Sequence, residues 1–441
     1  MNAAPALKAN LNEDAVYAKV AWRLIPFIFL LYIVAYLDRV NVGFAQLQMK
    51  TDLGFSDSIY GLGAGMFFFG YFLFEVPSNL LLERFGAKIW IARIMIIWGV
   101  VSAAMMFVKT PEWFYTLRFL LGVGEAGFAP GIILYITYWF PAERRARIFS
   151  CYMTALAFSG IIGGPLSGWI LSSMTGVNGW AGWQWLFLLE GLPALILGVA
   201  VLLYLDDSPR KATWLSDEEK NVLQSNLAAE AATKSNAHHD TATHSSHALR
   251  QAFTDPKVLL LSFMYFCILS GLYGISFWLP QIIKGLGVQG TVQIGLISAL
   301  LYGVAAVAMV LVGKSSDATQ ERRWHIVICS LVGGMGFILS AIWSNNAVLS
   351  LIALTAATAG VLAILPVFWA IPTAFLGGTA AAAGIAVVNS FGNLGGFGAP
   401  YGIGLLKQAT NSTDAAMIAL GLVLILGGGL TLVLQSKEIS Q

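Results

Sequence analysis

The chain has 441 residues, of which 57% are hydrophobic and 11% charged, and its mean hydropathy is +0.74. A water-soluble protein carries about 25% charged residues, so this surface is not built to face water, and a soluble or nucleic-acid-binding domain is excluded. The formal net charge of +2 says little about partners; its distribution along the chain says more.

Residues 1–20 are polar and mixed in charge, and the apolar run after them is too long for a signal h-region, so no cleavable leader is expected. Apolar runs near the roughly 20 residues needed to cross a bilayer then recur. Twelve are predicted, at about 22–41, 57–81, 88–108, 113–139, 146–171, 184–205, 258–282, 292–313, 324–343, 347–372, 384–407 and 413–435. With both ends on one side, that side holds 19 Lys and Arg, whereas the opposite loops hold Lys50, Lys109, Lys284 and Lys407. The positive-inside rule therefore predicts cytoplasmic termini.

The first span carries Asp38 and Arg39, and the fourth carries Arg118 and Glu125. A charge at mid-bilayer costs roughly 2.5–3.5 kcal/mol on insertion scales, so such residues face a bundle interior or a water cavity and mark a substrate or proton pathway. Asp38 and Arg39 diverge by about 100° on a helix, so one can face a cavity while the other leans toward a neighbouring span. Arg39 keeps its proton, and its planar fork suits a carboxylate. Arg118 and Glu125 lie two turns apart on one face, roughly 10 Å along the axis, so each needs partners from other spans. Burial disfavours a charged carboxyl and a nearby arginine favours it, so anion binding at the arginines would alter proton affinity at Asp38 or Glu125. Acids that take protons beside arginines that keep theirs suggest proton-coupled movement of an organic anion.

Glu75 sits near the inner end of span two and Glu190 near the outer end of span six. Gly122, Gly124 and Gly127 match G-x-G-x-x-G inside an apolar helix, where they permit close helix packing rather than dinucleotide binding. Residues 206–257 are polar and link spans six and seven. Within them Ser216 and Glu219 form a predicted capping box, and residues 231–248 read as disordered, their histidines (His238, His239, His244, His247) belonging to a solvated linker. The linker divides the chain into bundles at 1–205 and 258–441. Mid-span polar and aromatic residues complete a candidate pocket: Tyr71, Tyr273, Trp278, Gln281 and Trp369, with Asn389 and Asn393 four apart on one helix face. Cys151, Cys267 and Cys329 lie in predicted spans without ligand spacing, so neither a disulfide framework nor a metal or other cofactor is expected.

Asn79, Glu83, Arg84, Gly86 and Lys88 after span two are echoed by Gly313, Asp317, Arg322 and Arg323 after span eight. Similar halves around a midplane site are a common plan for secondary transporters. With these loops the chain resembles the major facilitator superfamily, although Asn79 and Glu83 replace the Gly and Asp of its loop signature. The segments YLDRVNVGFA (36–45), FEVPSNLLLERFGAK (74–88), RFLLGVGEAGFAPG (118–131), YWFPAERRAR (138–147) and GLYGISFWLPQ (271–281) look like the anion:cation symporter family within it. The resemblance implies an all-α membrane fold of twelve helices in two six-helix bundles. It implies that Arg39 contacts the substrate anion, that Asp38 and Glu125 carry protons, and that Arg118 sets their proton affinity. It also implies a cytoplasmic latch among Glu83, Arg84, Glu143, Arg144, Asp317 and Arg322, with Glu75 stabilising the inner gate and Glu190 a helix end.

The expected protein is thus a monomeric, proton-coupled importer of a small carboxylate in a bacterial inner membrane. A hydroxy acid such as tartrate or a sugar acid is favoured by the span-seven segment and the asparagines; an aromatic acid or an anion exchange are the near alternatives. A membrane sensor is disfavoured by the six residues left after Gln435, and an enzyme by the lack of any nucleophile–base constellation.

Overall fold

A computed structural model describes residues 12–237, 253–375 and 378–434. Several helices begin where the sequence supplies a cap. Asn12 caps α1 (Glu13–Val40), which is interrupted at Asn41 and continues as α2 (Val42–Leu53). Ser56 caps α3 (Asp57–Phe85), and Thr110 followed by Pro111 starts α5 (Pro111–Glu125) after α4 (Ala87–Ala104). These side chains satisfy backbone N–H groups that have no partner inside the helix. The fourth span breaks at Ala126 and Gly127, whose φ of +85° is left-handed, and resumes as α6 (Phe128–Thr137). α7 (Ala142–Ser173) and α8 (Gly182–Tyr204) complete the first bundle.

The linker holds α9 (Asp217–Ala237) behind the predicted capping box: Ser216 Oγ accepts from Glu219 N at 3.2 Å, and Glu219 Oε2 accepts from Ser216 N at 2.8 Å. The helix thus reaches Ala237, into the stretch expected to be disordered; the linker histidines lie outside the described residues. The second bundle comprises α10 (Pro256–Gly285), α11 (Thr291–Thr319), α12 (Arg323–Ile342), α13 (Ala347–Phe375), α14 (Gly378–Thr410) and α15 (Asp414–Leu430). Among the described residues, eleven helical stretches are long and apolar enough to cross a membrane, α1–α2 and α5–α6 each counting as one. α14 is the twelfth helix of the pattern, 33 residues long but diluted by glycine and asparagine. Exposed apolar side chains such as Leu203, Ile196 and Leu300 face outward, as contact with lipid requires.

The packing repeats between the bundles. Span three packs on six and span nine on twelve; two packs on four and eight on ten; one packs on five and seven on eleven. Two seams join the bundles, α3 against α14 and α7 against α11. Gly164 and Gly295 let α7 and α11 cross so closely that a Cβ on either would strike the other's carbonyl oxygen.

Both described ends lie on one face, here the terminal face: Asp14 pairs with Arg144 at 2.6 Å, and Arg323 donates to Leu432 O at 2.5 Å. There α9 is tied to the first bundle by Lys19–Glu219 at 2.8 Å, by Arg145–Glu230 at 3.0 Å, and by stacking of Trp214 on Trp139. The opposite face is shut. Gly43 abuts the carbonyls of Ser276 and Phe277, and Tyr60 donates to Phe277 O at 3.0 Å.

Candidate substrate and proton site

Both breaks in helical spans fall beside a buried acid. Asn41 follows Asp38 by three residues, and Ala126 follows Glu125 directly. Asp38, Arg118 and Glu125 are fully buried and Arg39 is 7% exposed, so none of the four reaches bulk solvent. The divergence expected for Asp38 and Arg39 is present. Asp38 turns toward span three, where its Oδ1 accepts from Ser102 Oγ and, at 3.1 Å, from Asn41 Nδ2. Arg39 turns to the centre. Its Nη2 pairs with Glu125 Oε1, and its Nη1 donates to Tyr273 Oη at 3.1 Å. The guanidinium lies over the rings of Phe67 and Tyr71, at 5.2 and 5.6 Å.

Arg39 therefore bridges span four of one bundle and span seven of the other. Its Nε and Glu125 Oε2 have no protein partner, which leaves a donor and an acceptor on either side of the ion pair. Arg118 is placed differently. It donates to the carbonyls of Gly63 at 3.4 Å and Ala64 at 3.1 Å in α3, and its Cζ is 5.8 Å from the Phe277 ring centroid. It meets no acid and ties span four to span two.

Of the other candidates, Asn389 is joined to Glu75, donating to Oε1 at 2.5 Å while Ser390 donates to Oε2 at 3.3 Å. This bond crosses between the bundles along the α3–α14 seam. Asn393 is buried one turn away, Trp369 meets Tyr265 edge-on at 4.9 Å, and Gln281 is half-buried toward the C-terminal end of α10. Trp278 is fully buried and donates to Pro400 O at 3.3 Å, which makes it part of the closed face. Glu190 accepts from Ser167 at 2.7 Å.

Among the described side chains, the latch residues are not brought together across the bundles. Arg144 pairs with Asp14, Arg322 with Asp317 at 2.6 Å, Arg84 lies over Phe85, and Glu143 is exposed; the side chain of Glu83 lies outside the described residues. A recess of about 620 Å³ opens on the terminal face beside Tyr138, Arg145, Arg210 and Glu230. There Arg145 is already engaged by Glu230. Cys267 and Cys329 are free and buried, and the side chain of Cys151 lies outside the described residues.

Sequence reasoning missed Ser102 as the partner of Asp38. A lone hydroxyl in an apolar span was the available signal, but nothing local aims it at span one. Asn41 was within reach, since its three-residue offset from Asp38 places both on one helix face.

The superfamily profile for the Major Facilitator Superfamily matches residues 28–400. The chain belongs to the Major Facilitator Superfamily. Relatives within it include a protein of Agrobacterium vitis provisionally named a tartrate transporter, 49% identical over 96% of this chain and 92% of its own length. Another, provisionally named the metabolite transport protein NicT of Pseudomonas putida, is 44% identical over 98% of this chain and 97% of its own. The fold is similar to a crystal structure of a bacterial homologue of the human lysosomal transporter Spinster, with TM-score 0.74 at 17% identity, covering 95% of this chain and 96% of that one. This superfamily member is an integral membrane transporter and not an enzyme.

Proposed function

We propose that this transporter is a monomeric, proton-coupled symporter. It brings a small organic carboxylate, a hydroxy acid such as tartrate or a sugar acid, across a bacterial inner membrane with both termini in the cytoplasm. The bundles 1–205 and 258–441 rock about the Arg39 site, exposing it to each side in turn. The observation that carries this reading is the ion pair between Arg39 and Glu125 at the junction of the bundles. Glu125 occupies the guanidinium edge that a substrate carboxylate would use. An ionised Glu125 competes with the substrate, and a protonated one gives up the pair. Proton and anion therefore bind together and leave together. Asp38, one residue from Arg39 and held by neutral donors, is the second proton carrier. Tyr71, Tyr273, Gln281, Trp369, Asn389 and Asn393 supply rings, hydroxyl and amides for the rest of the substrate, and Arg118 holds span four in place.

The name of the Agrobacterium vitis relative supports tartrate. An aromatic acid is the second reading, favoured by the Phe67 and Tyr71 rings against Arg39. Uptake by proteoliposomes under an imposed pH gradient tests the proposal. Tartrate, galactonate and phthalate are compared, and accumulation of one of them should follow the gradient. Accumulation indifferent to the gradient would refute proton coupling, and preference for phthalate would select the aromatic reading.

A further inference from the structure

The closed face carries a cluster that the central site does not use. Lys50 at the end of α2 and Lys407 near the end of α14 both pair with Asp57 Oδ1, at 2.5 and 3.3 Å. Lys284, at the end of α10, donates to the carbonyl of Leu47 at 3.2 Å and lies near enough to Lys407 to repel it. Two amines thus share one carboxylate, and the third rests on a backbone carbonyl. Other acids of this face are engaged or distant: Asp52 accepts from Trp183 Nε1 at 2.9 Å, Asp414 accepts from Ser344, and Glu112 begins α5.

The cluster sits over the candidate site. Lys407 lies 5.2 Å from the Trp278 ring centroid, and Trp278 meets Tyr60 edge-on. Tyr60 bonds the carbonyl of Phe277, and the Phe277 ring stacks on Tyr273, which holds Arg39. Lys50 and Asp57 belong to one bundle, Lys284 and Lys407 to the other. Separation of the bundles on this face breaks Asp57–Lys407 and Lys284–Leu47 together. Lys50 keeps Asp57 as a neutral pair, and two amines remain on the opposing rim with no carboxylate between them.

We propose that Lys284 and Lys407 form an anion-capture site at the mouth of the outward-open transporter, masked by Asp57 and the Leu47 carbonyl when the mouth closes. The ligand class is a small dicarboxylate or hydroxycarboxylate anion on its way to Arg39. A rim of one charge sign set between low-dielectric walls concentrates counter-charged solutes and speeds their arrival by 10-fold or more, an effect that salt abolishes. This inference rests on the anion-uptake reading above.

Initial rates of L-tartrate uptake by proteoliposomes, at low and high external ionic strength, test it. The double variant Lys284→Gln/Lys407→Gln should raise KM about tenfold at low salt with kcat unchanged, and the gap should close as salt rises. Lys284→Arg/Lys407→Arg should behave as the parent, as should Lys109→Gln, the exposed fourth lysine of this face. An unchanged KM at low salt would overturn the proposal. So would a KM rise equally large at all salt concentrations, or a fall in kcat that the arginine pair fails to restore, since either would make the amines mere closing contacts. A parent protein that accumulates no organic anion would instead overturn the uptake reading beneath it.

Discussion

The two bundles repeat one another in packing but not in chemistry. Among the described residues, every buried ionised-type side chain in the membrane (Asp38, Arg39, Glu75, Arg118, Glu125, Glu190) belongs to the first bundle. The second buries hydroxyls, such as Ser276 and Thr358, and the amide of Asn393. Its contributions to the shared site are neutral donors and acceptors: Tyr273 toward Arg39, Asn389 and Ser390 toward Glu75. The difference teaches how a duplicated scaffold can divide labour. One bundle carries the buried charges, and the other meets them through neutral hydrogen bonds that cross between the bundles.

Three substitutions test that division, in order of expected effect. Arg39→Lys keeps the charge but loses the fork that reaches both Glu125 and Tyr273. Loss of a desolvated, hydrogen-bonded charge contact costs 2–5 kcal/mol, so kcat/KM for uptake should fall about 100-fold or more. Near-normal uptake by this variant would place the anion elsewhere. Glu125→Gln should come next: concentrative uptake driven by a pH gradient is lost, while exchange of labelled for unlabelled substrate persists. Gradient-driven accumulation at the parental level would clear Glu125 of proton carriage. A smaller effect is expected in the second bundle, where Tyr273→Phe removes one bond to a charged group. Such bonds are worth about 1.5–3 kcal/mol, so KM should rise roughly tenfold, with proton coupling retained. A loss exceeding that of Arg39→Lys would break the comparison.

The smallest effect lies outside both bundles. The hydrogen bond from Lys19 holds the Glu219 carboxyl below its ordinary range. A carboxyl depressed in the folded state stabilises it above the unfolded value, and that stabilisation is lost as pH falls through the folded value. Acidification below about pH 4.5 should therefore loosen α9, read as faster amide exchange over Asp217–Ala237, and Lys19→Met should loosen it already at neutral pH. Uptake at neutral pH should scarcely change in Lys19→Met; a large loss there would give the linker helix a part in transport.

Much of this was readable before any coordinates. Capping at Ser216 and the offset of Asp38 from Arg39 are local, set by neighbours within a turn or two; the break at Gly127 was not expected, since span four reads as one continuous apolar run. The roles of the arginines were less legible. Arg39 and Arg118 look alike along the chain, yet one holds a carboxylate and the other two backbone carbonyls. Glu75 and Asn389 stand 314 positions apart, so nothing local in the sequence pairs them.

Hydropathy and helix periodicity are sums over short windows, and they sufficed for an all-helical membrane protein and for locating four charges inside its spans, while its motif segments pointed to the family. Pairing is another kind of quantity. Whether Glu125 meets Arg39, Ser102 meets Asp38, or Lys50 and Lys407 converge on Asp57 depends on how separate helices rotate and cross. That depends on close approach at positions such as Gly164 and Gly295, and no window of sequence contains both partners.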